Sequence, residues 1–363
     1  MSKWVWLLTD SKGFGGIESH ILALASGLLS HEIKVRVILL SDYDHQSLLI
    51  PQLERQCIPY TALNRQYSSE DSKQDATKKY AKSNLLGRLA QLWQQTKDKP
   101  DVIHSHGYKA SLLIRAAKAL SIVPKDLVVA TTFHAGETPT GRVRFYDWLD
   151  RYTAFLSPIR IAVSRPIQNK IPVTSQRVNN FVADAPLSKG EKIAFVGRLS
   201  HEKGPDRYLQ LAQQIPHCEF HLFGSGPMEE VLEGEATHNV QFHGHQVDME
   251  PVWAQIGLLV LTSRFEGLPM SALEAMVRGI PVISFAVGEI PSLIVNGKNG
   301  WIVDDIPTMA IQIEAYLNSS ASERQAIKQY ARTTIIDHYS YQAVIPQLLQ
   351  LYFGRLDPAP RLQ

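Results

Sequence analysis

The sequence predicts an α/β protein made of two Rossmann-like, doubly wound domains facing each other across a cleft. Three observations carry this expectation. Short β-rich runs alternate with amphipathic helical stretches, which is the rhythm of parallel β-α-β units. The rhythm stops once, over residues 164–192, and then restarts. Both halves also open alike, with a strand, a polar glycine-containing turn and a helix.

In the first half the apolar run 4–8 (WVWLL) leads through a glycine turn into a helix over 17–30. There Ile17, Ile21, Leu24, Ala25, Leu28 and Leu29 fall on one helical face. Strands follow at 33–40, 101–104, 127–133 and 160–163, with helices between several of them. The texture then changes. Pro166, Pro172, Pro186, Gly190 and the pair Asn179-Asn180 read as a hinge. Strands resume at 193–197, 219–223, 240–243, 258–262, 281–285 and 301–303. The segment 322–354 is helical in pattern and can cross back onto the first domain, and the Pro-rich tail 357–363 is expected to fray. The domains read as 1–178, a hinge 179–192, 193–340, and a returning helix and tail 341–363.

Composition narrows the function. The chain has 363 residues, 44% hydrophobic and 20% charged, enough to bury two cores. With 37 Lys plus Arg against 35 Asp plus Glu, the net charge of +2 is too balanced for a dedicated nucleic-acid binder. The two cysteines, Cys57 and Cys218, are far apart and read as buried apolar thiols in a reducing compartment. The first apolar run stops at Thr9-Asp10, and no stretch reaches the roughly 18 apolar residues of a membrane span. The expected location is therefore the cytoplasm, with any membrane contact made by the surface.

The most informative segment is 262–279, TSRFEGLPMSALEAMVRG. A strand ends at Thr262 and a helix opens near Pro269, with Gly279 suited to its C-terminal cap. The N–H groups of Leu268, Met270 and Ser271 then lie near a free helix N-terminus at the carboxyl edge of a parallel sheet, which suits phosphate. Glu266 and Glu274 flank this turn. A retaining glycosidase needs carboxyls about 5–5.5 Å apart, whereas eight helical residues span about 12 Å. Hydroxyl binding suits the two acids better; the plainer reading is that Glu266 caps the helix and Glu274 is solvated. In 193–204, IAFVGRLSHEKG, Arg198 and Lys203 emerge just past a buried strand. A guanidinium and an ammonium there either neutralise a diphosphate leaving group without a metal or are ordinary solvated loop cations.

Other signals are weaker. Gly13, Gly15 and Gly16 let the backbone approach a ligand, but Glu18 occupies the sixth place of a dinucleotide fingerprint. Gly224-Ser225-Gly226 fails the same test at Glu229, so an NAD-dependent dehydrogenase loses its main support. Asp42-Tyr43-Asp44 has the D-x-D look of a metal–diphosphate site. His104 and His106 alternate on one strand, as do His243 and His245, without carboxylate or cysteine at ligand spacing. His134, at the end of a strand, can aim a neutral imidazole into the cleft toward a substrate hydroxyl. Neither a G-x-S-x-G elbow nor a G-x-x-x-x-G-K-[ST] loop occurs.

The motifs GFGGIESHILALASGLL, PDVIHSHG, TTFHAGE, AVS, FVGRLSHEKG, FGSGP and SRFEGLPMSALEAMVRGIPVI occur in that order. Together they resemble the retaining, GT-B-fold sugar-nucleotide transferases of glycosyltransferase family 4, from about residue 4 to about residue 305. The resemblance implies a hexose or N-acetylhexosamine transferase that acts on a nucleoside-diphosphate sugar without a metal. It gives catalytic roles to His134, Glu266, Arg198 and Lys203: the two cations on the diphosphate, Glu266 on the donor sugar, His134 on a sugar hydroxyl. Donor contacts are implied for Gly15, Gly16, Gly224, Gly244, Gly267, Leu268, Met270 and Glu274, the last on the ribose. One departure stands at Gly288-Glu289-Ile290-Pro291-Ser292, where Ser292 replaces the family's acid. The link between Ser164 and the hinge is also short.

The implied acceptor is a glycan or a lipid-linked glycan, such as a lipopolysaccharide, O-antigen or capsule precursor. The stretch 73–88, with Lys73, Lys78, Lys79, Lys82 and Arg88 near Leu85, Leu86 and Leu89, suits either an anionic membrane or a solvated helix face. A non-catalytic nucleotide- or carbohydrate-binding protein and a GT-B epimerase or phosphorylase are the competing readings.

Overall fold

The computed structural model describes residues 3–64, 84–134 and 141–354. Lys73, Lys78, Lys79 and Lys82, residues 135–140 and the segment 357–363 lie outside the described residues. The chain divides into two compact units. One comprises Met1–Val163, Ile167–Val178 and Ile345–Gln363; the other comprises Ser164–Pro166 and Asn179–Val344.

The first unit carries strands β1 (Trp4–Thr9), β2 (Lys34–Leu39), β3 (Tyr60–Ala62), β4 (Val102–His106), β5 (Val128–Phe133), β6 (Ile159–Ala162) and β7 (Gln176–Arg177). They form one sheet in the order β3-β2-β1-β4-β5-β6-β7, and every pairing is parallel. The order reverses between β1 and β4, with Thr9 opposite His106 at the carboxyl ends, the place where open α/β sheets bind ligands. One face of this sheet packs Trp6, Leu8, Ile103 and Val129 against Leu89, Ile114 and Ala117 from helices.

The second unit repeats the plan with β8 (Lys192–Val196), β9 (Phe220–Phe223), β10 (Val240–Phe242), β11 (Ile256–Leu261), β12 (Val282–Phe285) and β13 (Gly300–Val303). The order is β10-β9-β8-β11-β12-β13, again all parallel, with the switch between β8 and β11. Side chains alternate across β11. Leu258 and Val260 join Phe195, Tyr208 and Ile313 on one side. Leu259 and Leu261 join Leu273, Met276 and Ile335 on the other. Both faces are therefore buried, which is why these strands read as continuous apolar runs.

Several sequence expectations need adjusting. The three-residue β3 and two-residue β7 were not foreseen, because runs so short, β7 being polar and exposed, carry no hydrophobic period. In the helix Gly16–Ser30, Ile21, Leu24, Ala25 and Leu28 are buried, but Leu29 is exposed and His20 takes a place in the buried face. The helical pattern 322–354 is two helices, Ala321–His338 and Tyr341–Phe353. Ser340 breaks them by accepting the Ala343 N–H on its hydroxyl. Cys57 is exposed rather than buried, because it sits in a left-handed turn (φ 54°) after the helix Leu49–Arg55. Among the described residues no helix is long and apolar enough to cross a membrane.

The helix Met270–Val277, which begins directly after the site described below, is held by Leu273 in the core. Leu273→Ala is expected to cost about 2–5 kcal/mol from the cavity left behind, read as a lowered urea midpoint for the second unit.

Candidate functional site

In the second unit, two loops leave the carboxyl ends of β8 and β11 and are tied to each other. The N–H groups of Arg264 and Phe265 donate to the Glu202 carbonyl, at 2.8 and 3.3 Å. The Thr262 hydroxyl donates to the Gly204 carbonyl (2.7 Å). The Arg264 guanidinium forks onto Asp206 at 2.8 and 2.5 Å. These bonds fix the backbone on which Arg198, Lys203 and Glu266 stand.

Lys203 Nζ donates to both oxygens of Glu266, at 2.7 and 2.9 Å, and Ser263 Oγ adds a third bond at 2.8 Å. The Glu266 side chain is only 7% exposed, so Lys203 and Ser263 supply the donors that burial takes away. Arg198 is 65% exposed. Its guanidinium donates to Glu202 Oε1 (2.5 Å), which also accepts from Ser200 Oγ (2.6 Å). Burial pushes the Glu202 carboxyl up, but the bonds from Ser200, its own backbone N–H and Arg198 outweigh it and hold the group below the ordinary glutamate value.

Glu266 does not cap the helix that follows. The N-cap is Pro269, with no side-chain cap bond. The Ala272 and Leu273 amides turn back to the Pro269 carbonyl, while Met270 and Ser271 hold two of the amides that a helix leaves without an internal acceptor. The side chains of Leu268 and Met270 are in the core, so only their backbone can meet a ligand. Glu274 is half-buried on this helix, and its carbonyl accepts from Arg278 (2.7 Å).

Neighbouring turns pack against these loops with no room for a side chain. A Cβ on Gly224 would lie 1.9 Å from the Gly197 carbonyl oxygen, and one on Gly288 would lie 2.2 Å from that of Gly267. The Gly224 amide donates to Gly244 O (2.9 Å). The Glu289 amide donates to Gly267 O (2.8 Å), and its buried carboxylate accepts from the Arg165 amide (2.5 Å) and from Ser292 Oγ (3.1 Å). Ser292 thus serves the turn through Glu289.

In the first unit, four histidines gather at the carboxyl edge of β4 and β5. His104 is fully buried; its Nδ1 meets Tyr352 Oη at 2.6 Å and its Nε2 meets Thr132 Oγ1 at 2.7 Å. His106 Nδ1 lies 3.0 Å from His134 Nε2. The His20 ring packs on His134 and His106, with centroids 4.7 and 5.4 Å away. His106 Nε2 is buried with no hydrogen-bond partner among the described residues. Burial first, and the neighbouring imidazoles second, lower these groups: His104 to about 3, His106 and His134 well below the usual value. All three are therefore neutral near pH 7. The ligand nitrogens of His20, His106 and His134 lie within 4.8 Å of one another. Three clustered imidazole nitrogens suit either a borderline transition ion or hydrogen bonds to hydroxyls.

His20 and Tyr352 were missed by the sequence reading. His20 looks like a core residue of an apolar helix, and Tyr352 is 248 residues away from its partner. Three weaker signals resolve structurally. Asp42 is buried, pairing its amide and carboxylate with Asn64 (2.9 and 2.5 Å). His243 stacks on Phe223 at 4.3 Å and meets His221 at 3.1 Å. Gly15 is the N-cap and Gly16 the first residue of the helix that carries His20.

With this geometry in hand, comparison with known proteins is specific. Residues 14–172 match the family model "Glycosyltransferase Family 4", and residues 190–319 match "Glycosyl transferases group 1". A glycogen synthase of Mycobacterium tuberculosis is 24% identical over 316 residues, covering 76% of this chain and 75% of that protein. The O-antigen biosynthesis glycosyltransferase WbnH of Escherichia coli is 26% identical over 213 residues, 54% of this chain and 62% of that one. The crystal structure of Anabaena Alr3699/HepE with UDP superposes with a TM-score of 0.76 at 16% identity, covering 98% of this chain and 100% of that one. The chain thus carries a family 4 and a group 1 glycosyltransferase domain and has the two parallel-sheet α/β units of the GT-B fold. It is a glycosyltransferase.

The buried imidazoles make a pH prediction. An unfolded histidine titrates near 6.5, and the folded His104 does so only at about 3. Below about pH 6.5 the unfolded chain therefore binds the extra proton, and stability falls by about 1.4 kcal/mol per pH unit for this residue alone. Urea unfolding between pH 7.5 and 5 should show that loss, and His104→Gln should flatten the slope by one proton.

Proposed function

We propose that the chain is a retaining transferase that moves a hexose or N-acetylhexosamine from a nucleoside diphosphate onto a glycan or lipid-linked glycan. The observation that carries this reading is the Lys203–Glu266 pair at 2.7 and 2.9 Å, next to a helix N-terminus at the end of β11. A buried acid, a cation and open amides meet within one short loop. That set suits a sugar phosphate, with its hydroxyls on one side and its charge on the other.

In this reading Lys203 shares its charge with a phosphate oxygen and Arg198 swings from Glu202 to the diphosphate. Glu266 accepts from a donor-sugar hydroxyl, and Glu274 from the ribose. The bond between the anomeric carbon and the phosphate oxygen breaks, and its electron pair stays on the phosphate. Both cations and the Met270 and Ser271 amides stabilise that charge. The acceptor oxygen bonds to the anomeric carbon on the face the diphosphate leaves, and its proton passes to the leaving phosphate. No side chain need act as a base, and no metal is required for charge neutralisation. His134, neutral, hydrogen-bonds a hydroxyl of the sugar, while Gly16 lies by the phosphates and Gly224 and Gly244 near the base. The complex of HepE with UDP supports uridine as the base. WbnH supports a surface polysaccharide such as O-antigen as the product class, made at the cytoplasmic face where such donors are available.

Incubation with UDP-sugars and a glycan acceptor should give transfer that survives chelator, with the anomeric configuration retained by proton NMR. Glu266→Gln and Arg198→Ala should each lower kcat/KM by about 10²–10³-fold, the range for losing one charge-stabilising contact. Inverted product, or full activity in both variants, would refute the reading.

A further inference from the structure

The helix Gly141–Tyr152 of the first unit is built inside out. Three of its five charged residues pack toward the protein: Asp150 is buried and salt-bridged to Arg115 at 2.8 Å, and the buried Arg151 pairs with Asp147 at 2.9 Å. Its aromatic residues face outward. Phe145, Trp148 and Tyr152, spaced three and four apart, fall on one side, and Phe155 is exposed in the short turn Ala154–Leu156 that follows. Their exposures are 58%, 55%, 60% and 58%. The rings touch in series, Phe145–Trp148 at 6.1 Å and Trp148–Tyr152 at 5.2 Å between centroids. A water-facing helix would carry the opposite pattern, and a contiguous apolar ridge of this size marks a binding surface.

The charges select the occupant. Both acids of the helix are paired with arginines, at Arg115 and Arg151. Arg142 and Arg144 are exposed and form no ion pair with any described residue. Among the described residues the ridge therefore offers aromatic rings beside unpaired positive charge, the chemistry of the boundary between anionic headgroups and acyl chains. We propose that this helix docks the enzyme on an anionic lipid bilayer, with Phe145, Trp148, Tyr152 and Phe155 seated among the headgroups and Arg142 and Arg144 on lipid phosphates. The surface belongs to the first unit alone and does not depend on the donor assignment.

The test is flotation of the full chain with vesicles of phosphatidylcholine and phosphatidylglycerol in equal parts, compared with phosphatidylcholine alone. Binding should require the anionic lipid and weaken as salt is raised. Arg142→Ala with Arg144→Ala should weaken it about thirtyfold, near fivefold for each basic residue at a charged surface. Phe145→Ser with Trp148→Ser should weaken it about a hundredfold, since each ring withdrawn from water is worth about a decade of affinity. Hydrolysis of UDP-glucose without vesicles should be unchanged in both variants, because every altered side chain is exposed. Equal binding to neutral vesicles, or no vesicle binding with self-association or oligosaccharide binding lost on the same substitutions, would overturn the proposal. Absence of UDP-glucose hydrolysis in the wild type would count only against the donor reading.

Discussion

A carboxyl group that has lost nearly all contact with water needs hydrogen-bond donors in its place, and Glu266 finds them in Lys203 and Ser263. Much of the second unit's carboxyl edge follows from this requirement. Lys203 reaches Glu266 because the loops after β8 and β11 are stitched at Glu202, Gly204 and Arg264. The turn at Gly288-Glu289 then presses on the backbone of Glu266 and Gly267 from the other side, so closely that no Cβ fits. Replacing one member of this set disturbs the placement of the rest.

The first unit offers a different chemistry. Burial first, and the neighbouring imidazoles second, keep His104, His106 and His134 uncharged near pH 7. Tyr352 and Thr132 fix both nitrogens of His104, whose ring in turn packs at a tilt against His106, with centroids 4.2 Å apart. His106 and His134 share a single hydrogen bond, so the tautomer of one sets that of the other. Neutral rings that accept and donate in fixed directions suit hydroxyls, whereas the lysine and arginine of the second unit suit phosphate.

Most of the architecture was legible because both sheets are parallel and covered by helices, so central strands such as β1, β8 and β11 appear as uninterrupted apolar runs. Edge strands such as β7 carry no such signal. The site was partly legible. Arg198, Lys203, Glu266 and the Pro269 turn stand out through spacing, glycine and proline. Their geometry was not: Lys203 was expected on phosphate alone and is found on Glu266, and Arg198 is found on Glu202. Pairings between residues 63 positions apart, or 248 in the case of His104 and Tyr352, leave no local periodicity to detect. The inverted helix at Gly141–Tyr152 also escaped notice, since aromatic and charged residues alternate there without revealing which side is buried.

The central claim is that Lys203 and Arg198 hold the diphosphate of the donor. Calorimetric titration with UDP and with uridine tests it most directly, because the two ligands differ only in the diphosphate. UDP should bind the wild-type chain much more tightly than uridine, and Arg198→Ala with Lys203→Met should erase most of that difference while uridine binding stays the same. An undiminished preference for UDP in the double variant would contradict the account.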